Sequence, residues 1–212
     1  TTYRVTSAVY RDPSAWYHIV VVLDTTQATA NNRLKIYVNG SEVTAFSTTN
    51  NPSQNADLGV NLTQQHSLGR INYLSGSGPY YFDGYMAEVN FIDGQALTPS
   101  SFGSNNAQTG VWQPAKYTGT YGTNGFYLPF TNTTSTTTLG YDFSGNSNNW
   151  TTNNLSLTAG TTYDSMTDVP TLTNTTTANY SVINPLKIST NSATISNGNL
   201  RSEEHTSELQ SH

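Results

Sequence analysis

Tyr80-Tyr81-Phe82-Asp83-Gly84-Tyr85-Met86-Ala87-Glu88-Val89-Asn90-Phe91-Ile92-Asp93-Gly94 is the stretch whose pattern decides the fold. From Tyr85 to Phe91 every second residue (Tyr85, Ala87, Val89, Phe91) suits a buried face, while Glu88 and Asn90 fall on the opposite one. This is the period of a half-buried strand, not of a helix. Gly84 before it and Asp93-Gly94 after it are breakers, and Asp-Gly is a favoured turn pair because both residues tolerate positive φ. One strand cannot bury its own apolar side, so a facing sheet is required, and the candidates lie upstream.

Working outward, Trp16 to Leu23 (WYHIVVVL) is short, β-branched and almost continuously apolar. It reads as a central strand covered over most of its length. Leu34 to Val38 alternates again and is followed by Asn39-Gly40, the strongest hairpin signal in the chain, so Glu42 to Phe46 is expected to return antiparallel to it. Asn39-Gly40-Ser41 is also a formal glycosylation sequon, read as structural because of the tight turn. Tyr3 and Val5 lie in a strand-prone setting, His66 to Ile71 is a short strand candidate, and Leu97 and Phe102 are plausible plugs at the end of a sandwich. The fold class is therefore all-β, an antiparallel β-sandwich of the jelly-roll type. Trp16, Ile19, Val21, Ile36, Val38, Val89 and Phe91 should be among its most buried residues.

Beyond Gly103 the character changes. Trp112, Tyr117, Tyr121 and Phe126-Tyr127-Leu128 are aromatic islands in Gly, Thr and Asn, so residues 104–200 read as an extended region or linker without a core of their own. Thr131 to Thr138 and Thr171 to Ala178 are expected to be exposed and mobile, Asn153 to Asn184 to be linker, and Asn184 to Leu200 to approach a further domain. Asp142, Ser144, Gly145, Asn146 and Asn148 gather oxygen donors, but the spacing and terminal Glu of a helix-flanked calcium loop are missing, which favours a tight polar turn. Arg201 to His212 abruptly hold three Glu and two of the four His and look like sequencing-adapter read-through. They are set aside from the fold as non-native.

Composition excludes several classes of function. With eight Lys and Arg in 212 residues and a net charge of -5, the chain lacks the cationic surface that a phosphate backbone demands, so nucleic acid is not an expected partner. The absence of Cys rules out disulfides and thiolate zinc sites. There is no run of 18 apolar residues, so membrane insertion is not expected either. The apolar fraction of 34 % is low for a chain of this length, so part of it should have little core.

Trp16-Tyr17-His18-Ile19-Val20, Leu34-Lys35-Ile36-Tyr37-Val38-Asn39-Gly40, Leu68-Gly69-Arg70 and Tyr81-Phe82-Asp83-Gly84-Tyr85-Met86-Ala87-Glu88-Val89 resemble successive strands of the laminin-G-like, pentraxin-like jelly roll of the concanavalin A-like lectin/glucanase superfamily. The resemblance covers residues 1–103 and matches the second half of that domain, which implies a domain incomplete at its N-terminus and a chain that self-associates. The stretch Phe82 to Gly103, with Trp112-Gln113-Pro114 and Asp142-Phe143-Ser144-Gly145-Asn146, is similar to tail and other virion proteins of marine bacteriophages. This implies a virion or extracellular location, with host glycans or other virion proteins as partners.

Glucanases of the superfamily carry Glu-x-Asp-x-x-Glu on one strand, with the attacking and protonating carboxylates about 5.5 Å apart. No such pattern occurs here. Glu88 reads as a solvated strand residue, and neither His18 nor His66 has spacing support as a base. The expected role is therefore non-catalytic carbohydrate binding or virion structure; the alternative is a glycoside hydrolase whose carboxylates lie in a missing N-terminal half. Family members often bind Ca²⁺ at a loop edge, which makes Asp83 and Asp57 the candidate ligands.

Overall fold

The computed structural model describes residues 2–12, 15–71, 80–158 and 164–165, together with the backbone of 193–196 and 201–204. Among them the structure is all-β and antiparallel, consistent with a β-sandwich of jelly-roll type, and its longest helix is the single turn Thr136–Leu139. The strands are β1 (Tyr3–Thr6), β2 (Ile19–Leu23), β3 (Leu34–Val38), β4 (Ser41–Glu42), β5 (Phe46–Asn50), β6 (Arg70–Ile71), β7 (Tyr80–Tyr81), β8 (Val89–Phe91), β9 (Gly103–Asn105), β10 (Trp112–Pro114) and β11 (Phe126–Leu128). A last hairpin pairs β12 (Ala193–Ser196) with β13 (Arg201–Glu204).

The hairpin at Asn39-Gly40 forms as its sequence directs. Both residues have positive φ, 48° and 79°, as a two-residue turn matched to the strand twist requires. β3 stands between β2 and β4, with Val21 opposite Ile36 and Tyr37 opposite Glu42. Lys35 and Glu42 form a surface ion pair of 3.2 Å across it. The return arm is shorter than Glu42 to Phe46. Its last bond runs from Val43 N to Ile36 O, 2.8 Å, after which Ala45 O accepts from Ser7 N and the chain changes sheet. Phe46 begins β5, which pairs with β1.

The strand expected over Tyr85 to Phe91 is confined to β8. Glu88 has φ 55°, in the left-handed region, so the alternation breaks there and its side chain leaves the solvent face. β8 pairs downstream with β11, with Phe91 opposite Phe126, their rings stacked at 5.5 Å, and Val89 opposite Leu128.

The core is not where the sequence pattern placed it. Phe102, Tyr117, Tyr121 and Tyr127 form the buried cluster, with Val20, Ile92 and Leu97 packed against it. Leu128 is the most enclosed side chain, at 1 % exposure, and Leu139 is also buried. Ile19 and Val21 are instead 61 % exposed each, and Trp16, Ile36, Val38, Val89 and Phe91 are half-buried. β2 is partly covered at Val20, Val22 and Leu23, with Val20 packed against the aromatic cluster, while Ile19 and Val21 stay exposed. The aromatic residues beyond Gly103 thus share a core with Val20, Ile92, Leu97 and Phe102 of the first part.

Asp142 organises that second region as a polar turn. Its Oδ1 accepts from the backbone N–H groups of Tyr127 and Ser144, both at 2.8 Å, and its Oδ2 from Ser144 Oγ at 2.8 Å and Asn148 N at 2.9 Å. Partial burial pushes its carboxyl upward, but these donors outweigh that and hold it below the usual carboxylate value. Asn146 and Asn148 complete the staple by donating to Gly122 O at 2.6 Å, Thr123 O at 3.1 Å and Gly125 O at 2.8 and 2.9 Å. Thr131 to Thr138 is largely exposed, and its end winds into Thr136–Leu139 through a Ser135–Thr138 capping box that buries Leu139. Thr171 to Ala178 and most of Asn153 to Leu200 lie outside the described residues.

Candidate binding platform

The short hairpin β6–β7 sets Arg70 opposite Tyr81 and Ile71 opposite Tyr80, and Phe82 N extends the ladder to Gly69 O at 2.8 Å. The aromatic side chains of β7 stay in solvent. Tyr81 is 66 % exposed and Phe82 56 %, with Tyr80, Tyr85 and Met86 close behind. The Arg70 guanidinium lies 5.7 Å from the Tyr81 ring centroid, within cation–π range. Gly69, at φ 72°, leaves a space beside the Met86 methyl that a Cβ would narrow to 3.3 Å. Gly69, Arg70, Tyr80, Tyr81, Phe82 and Met86 line a hollow of about 360 Å³, the low end of the range of small-ligand clefts. Contiguous exposed aromatic surface with a fixed guanidinium offers flat apolar faces and directed donors side by side.

The two residues read from sequence as metal ligands both lie on loops. Asp83 follows the platform on an exposed loop, and Asp57 lies on another; both line an open cleft of about 2500 Å³ that adjoins the hollow through Phe82 and Met86. Among the described residues no three His, Asp or Glu side chains converge on a point that could hold a metal ion.

Glu88 is not solvated, contrary to its sequence reading. It is half-buried, and its Oε2 accepts a 2.6 Å hydrogen bond from the Tyr127 hydroxyl. Burial pushes its carboxyl up, against the smaller lowering effects of Tyr127 and Lys116. The same burial, with Tyr117 and Glu88 nearby, pushes Tyr121 up to about 12, and its hydroxyl donates to Asn90 Oδ1 at 3.0 Å. The neighbours that act on the Glu88 carboxyl are the Tyr127 hydroxyl and the Lys116 ammonium. His18 stacks on Trp112 at 5.6 Å, and burial lowers its pKa. His66 is exposed, its Nε2 3.0 Å from Leu62 O.

The platform aromatics were not singled out from sequence. Three consecutive aromatic residues at Tyr80-Tyr81-Phe82 were the available signal, since a strand with one buried face does not carry bulky aromatics on both.

Residues 1–101 match the laminin-G-like family model described as the concanavalin A-like lectin/glucanases superfamily. Residues 1–101 are thus similar to that superfamily, and the platform lies within the matched residues. No curated protein and no solved structure matches the chain at a significant level. No helix among the described residues is long and apolar enough to cross a membrane.

Proposed function

We propose that the chain is a non-catalytic carbohydrate-binding module, and that glycans seat on Tyr80, Tyr81 and Phe82 beside Arg70. The observation that carries this reading is the exposed aromatic hairpin within residues that match a lectin superfamily. Aromatic faces stack on the apolar C–H faces of sugar rings, and the guanidinium and phenol groups supply hydrogen bonds to hydroxyls. The similarity of Phe82 to Gly103 and of the Asp142 turn to bacteriophage tail and virion proteins supports a virion role, with host-surface glycans as the target. Asp57 and Asp83 are the residues through which Ca²⁺ would act. A glycan array read with and without EDTA tests all of this. A sugar signal lost in chelator supports a Ca²⁺-dependent lectin, one that persists supports the platform alone, and no signal in either condition overturns the binding role.

A further inference from the structure

The 2500 Å³ cleft is lined by residues of β2 and β8, each of which has one edge that no described strand covers. On β2, Asn39 N donates to His18 O at 2.8 Å and Asp24 N to Arg33 O at 2.9 Å. Bonded pairs in an antiparallel ladder fall on alternate residues, so His18, Val20, Val22 and Asp24 face β3. The N–H and C=O groups of Ile19, Val21 and Leu23 therefore face the open edge. On β8 the same reasoning applies through its partner. Tyr127 gives its N–H to Asp142 Oδ1 and its C=O to Phe143 N, both at 2.8 Å, so β8 bonds to β11 through Val89 and Phe91. That leaves the backbone groups of Asn90 facing outward.

Three further features define what fits there. The volume of about 2500 Å³ is more than twice the upper end for a small-molecule site, about 1,000 Å³. Ile19 and Val21 offer an apolar surface along the free edge, and β2 carries none of the Lys or Pro residues that normally blunt such edges. The charged lining is mostly acidic: Asp12, Asp24, Asp57, Asp83 and Asp93, with the half-buried Glu88, against Arg11 and the half-buried His18.

We propose that this cleft docks an extended polypeptide strand of a partner protein, apolar at alternate positions and carrying lysine or arginine between them. The strand pairs with the outward groups of Ile19, Val21 and Leu23, sets its apolar side chains against Ile19 and Val21, and places its cations toward the carboxylates. This is strand addition to an exposed sheet edge, with the main chain giving affinity and alternate side chains giving selectivity.

The test is titration of the full chain with a short peptide of alternating valine and lysine, followed by fluorescence anisotropy. Binding should weaken by about tenfold or more when alternate peptide nitrogens are methylated or when glutamate replaces lysine, since each removes one half of the recognition. Val21→Pro should abolish it, because this substitution deletes an outward donor while the bonds of Val20 and Val22 to β3 remain. Because the peptide changes leave the protein intact, they decide the matter even if the variant misfolds. Equal binding of the methylated peptide, no binding of any peptide, or a dimer of the chain that dissociates on Val21→Pro would each overturn the assignment, the last by giving the edge to a second copy.

Discussion

The Tyr127 hydroxyl donates a 2.6 Å hydrogen bond to Glu88 Oε2, joining β11 to the residue immediately before β8. It fixes a desolvated carboxyl at the point where the backbone turns through positive φ. The pH dependence follows from the direction of the shift. Burial raises the folded-state pKa of Glu88 above its unfolded value, so the folded chain holds this proton more tightly. Its contribution to stability is complete below the unfolded pKa and is lost as pH rises through the folded one. Urea unfolding of Glu88→Gln at stepped pH should show the variant gaining on the wild type as pH rises across that window. A constant difference, or a gain on acidification, would count against the shift. Tyr127→Phe should cost about 1 to 2 kcal/mol near neutral pH, as the ionised carboxylate loses its donor.

Asp142 has the opposite sign. Its folded pKa is lowered, so its contribution is present above the unfolded value and fades as pH falls through the folded one. Asp142→Ala should cost about 3 kcal/mol near neutral pH, since backbone donors of Tyr127, Ser144 and Asn148 lose a charged acceptor. The difference from wild type should shrink on acidification, and denaturant titrations at neutral and acid pH check both the size and the trend.

Trp112 ties the hairpin of the first half to β9 of the second. Its indole lies on Gly40, where an added Cβ would collide with the ring, and a Cβ on Gly103 would come within 2.7 Å of Cζ2. Gly40→Ala should therefore destabilise by about 2 kcal/mol or more, combining the positive φ with the collision. In a double-mutant cycle with Trp112→Ala, the Gly40 substitution should become cheaper, because only the backbone strain remains. Additive effects would show that the contact contributes nothing.

The legible parts of the fold were those encoded locally. Asn39-Gly40 states its own turn geometry, and Phe102 and Leu97 were expected as plugs and do pack on the buried cluster. The core of Tyr117, Tyr121 and Tyr127 was not legible, because these residues follow no strand or helix period among Gly, Thr and Asn and pack on one another and on the distant Val20 and Ile92. Strict alternation also placed Glu88 in solvent, since nothing local reveals that one residue takes a left-handed conformation. The binding platform was hidden for a related reason. Asp83 drew attention as a metal candidate, whereas Arg70 and Tyr81 become neighbours only through the register of β6 and β7.

The most direct measurement is a glycan array probed side by side with the wild type and with Tyr81→Ala, each checked for unchanged thermal unfolding. Tyr81 is exposed and supports no core, so its removal should leave stability within about 0.5 kcal/mol. The result expected is a set of oligosaccharides bound by the wild type and lost, by about tenfold or more in affinity, in the variant. Equal signals from both proteins would contradict the placement of the glycan site on this hairpin, and no signal from the wild type would contradict carbohydrate binding itself.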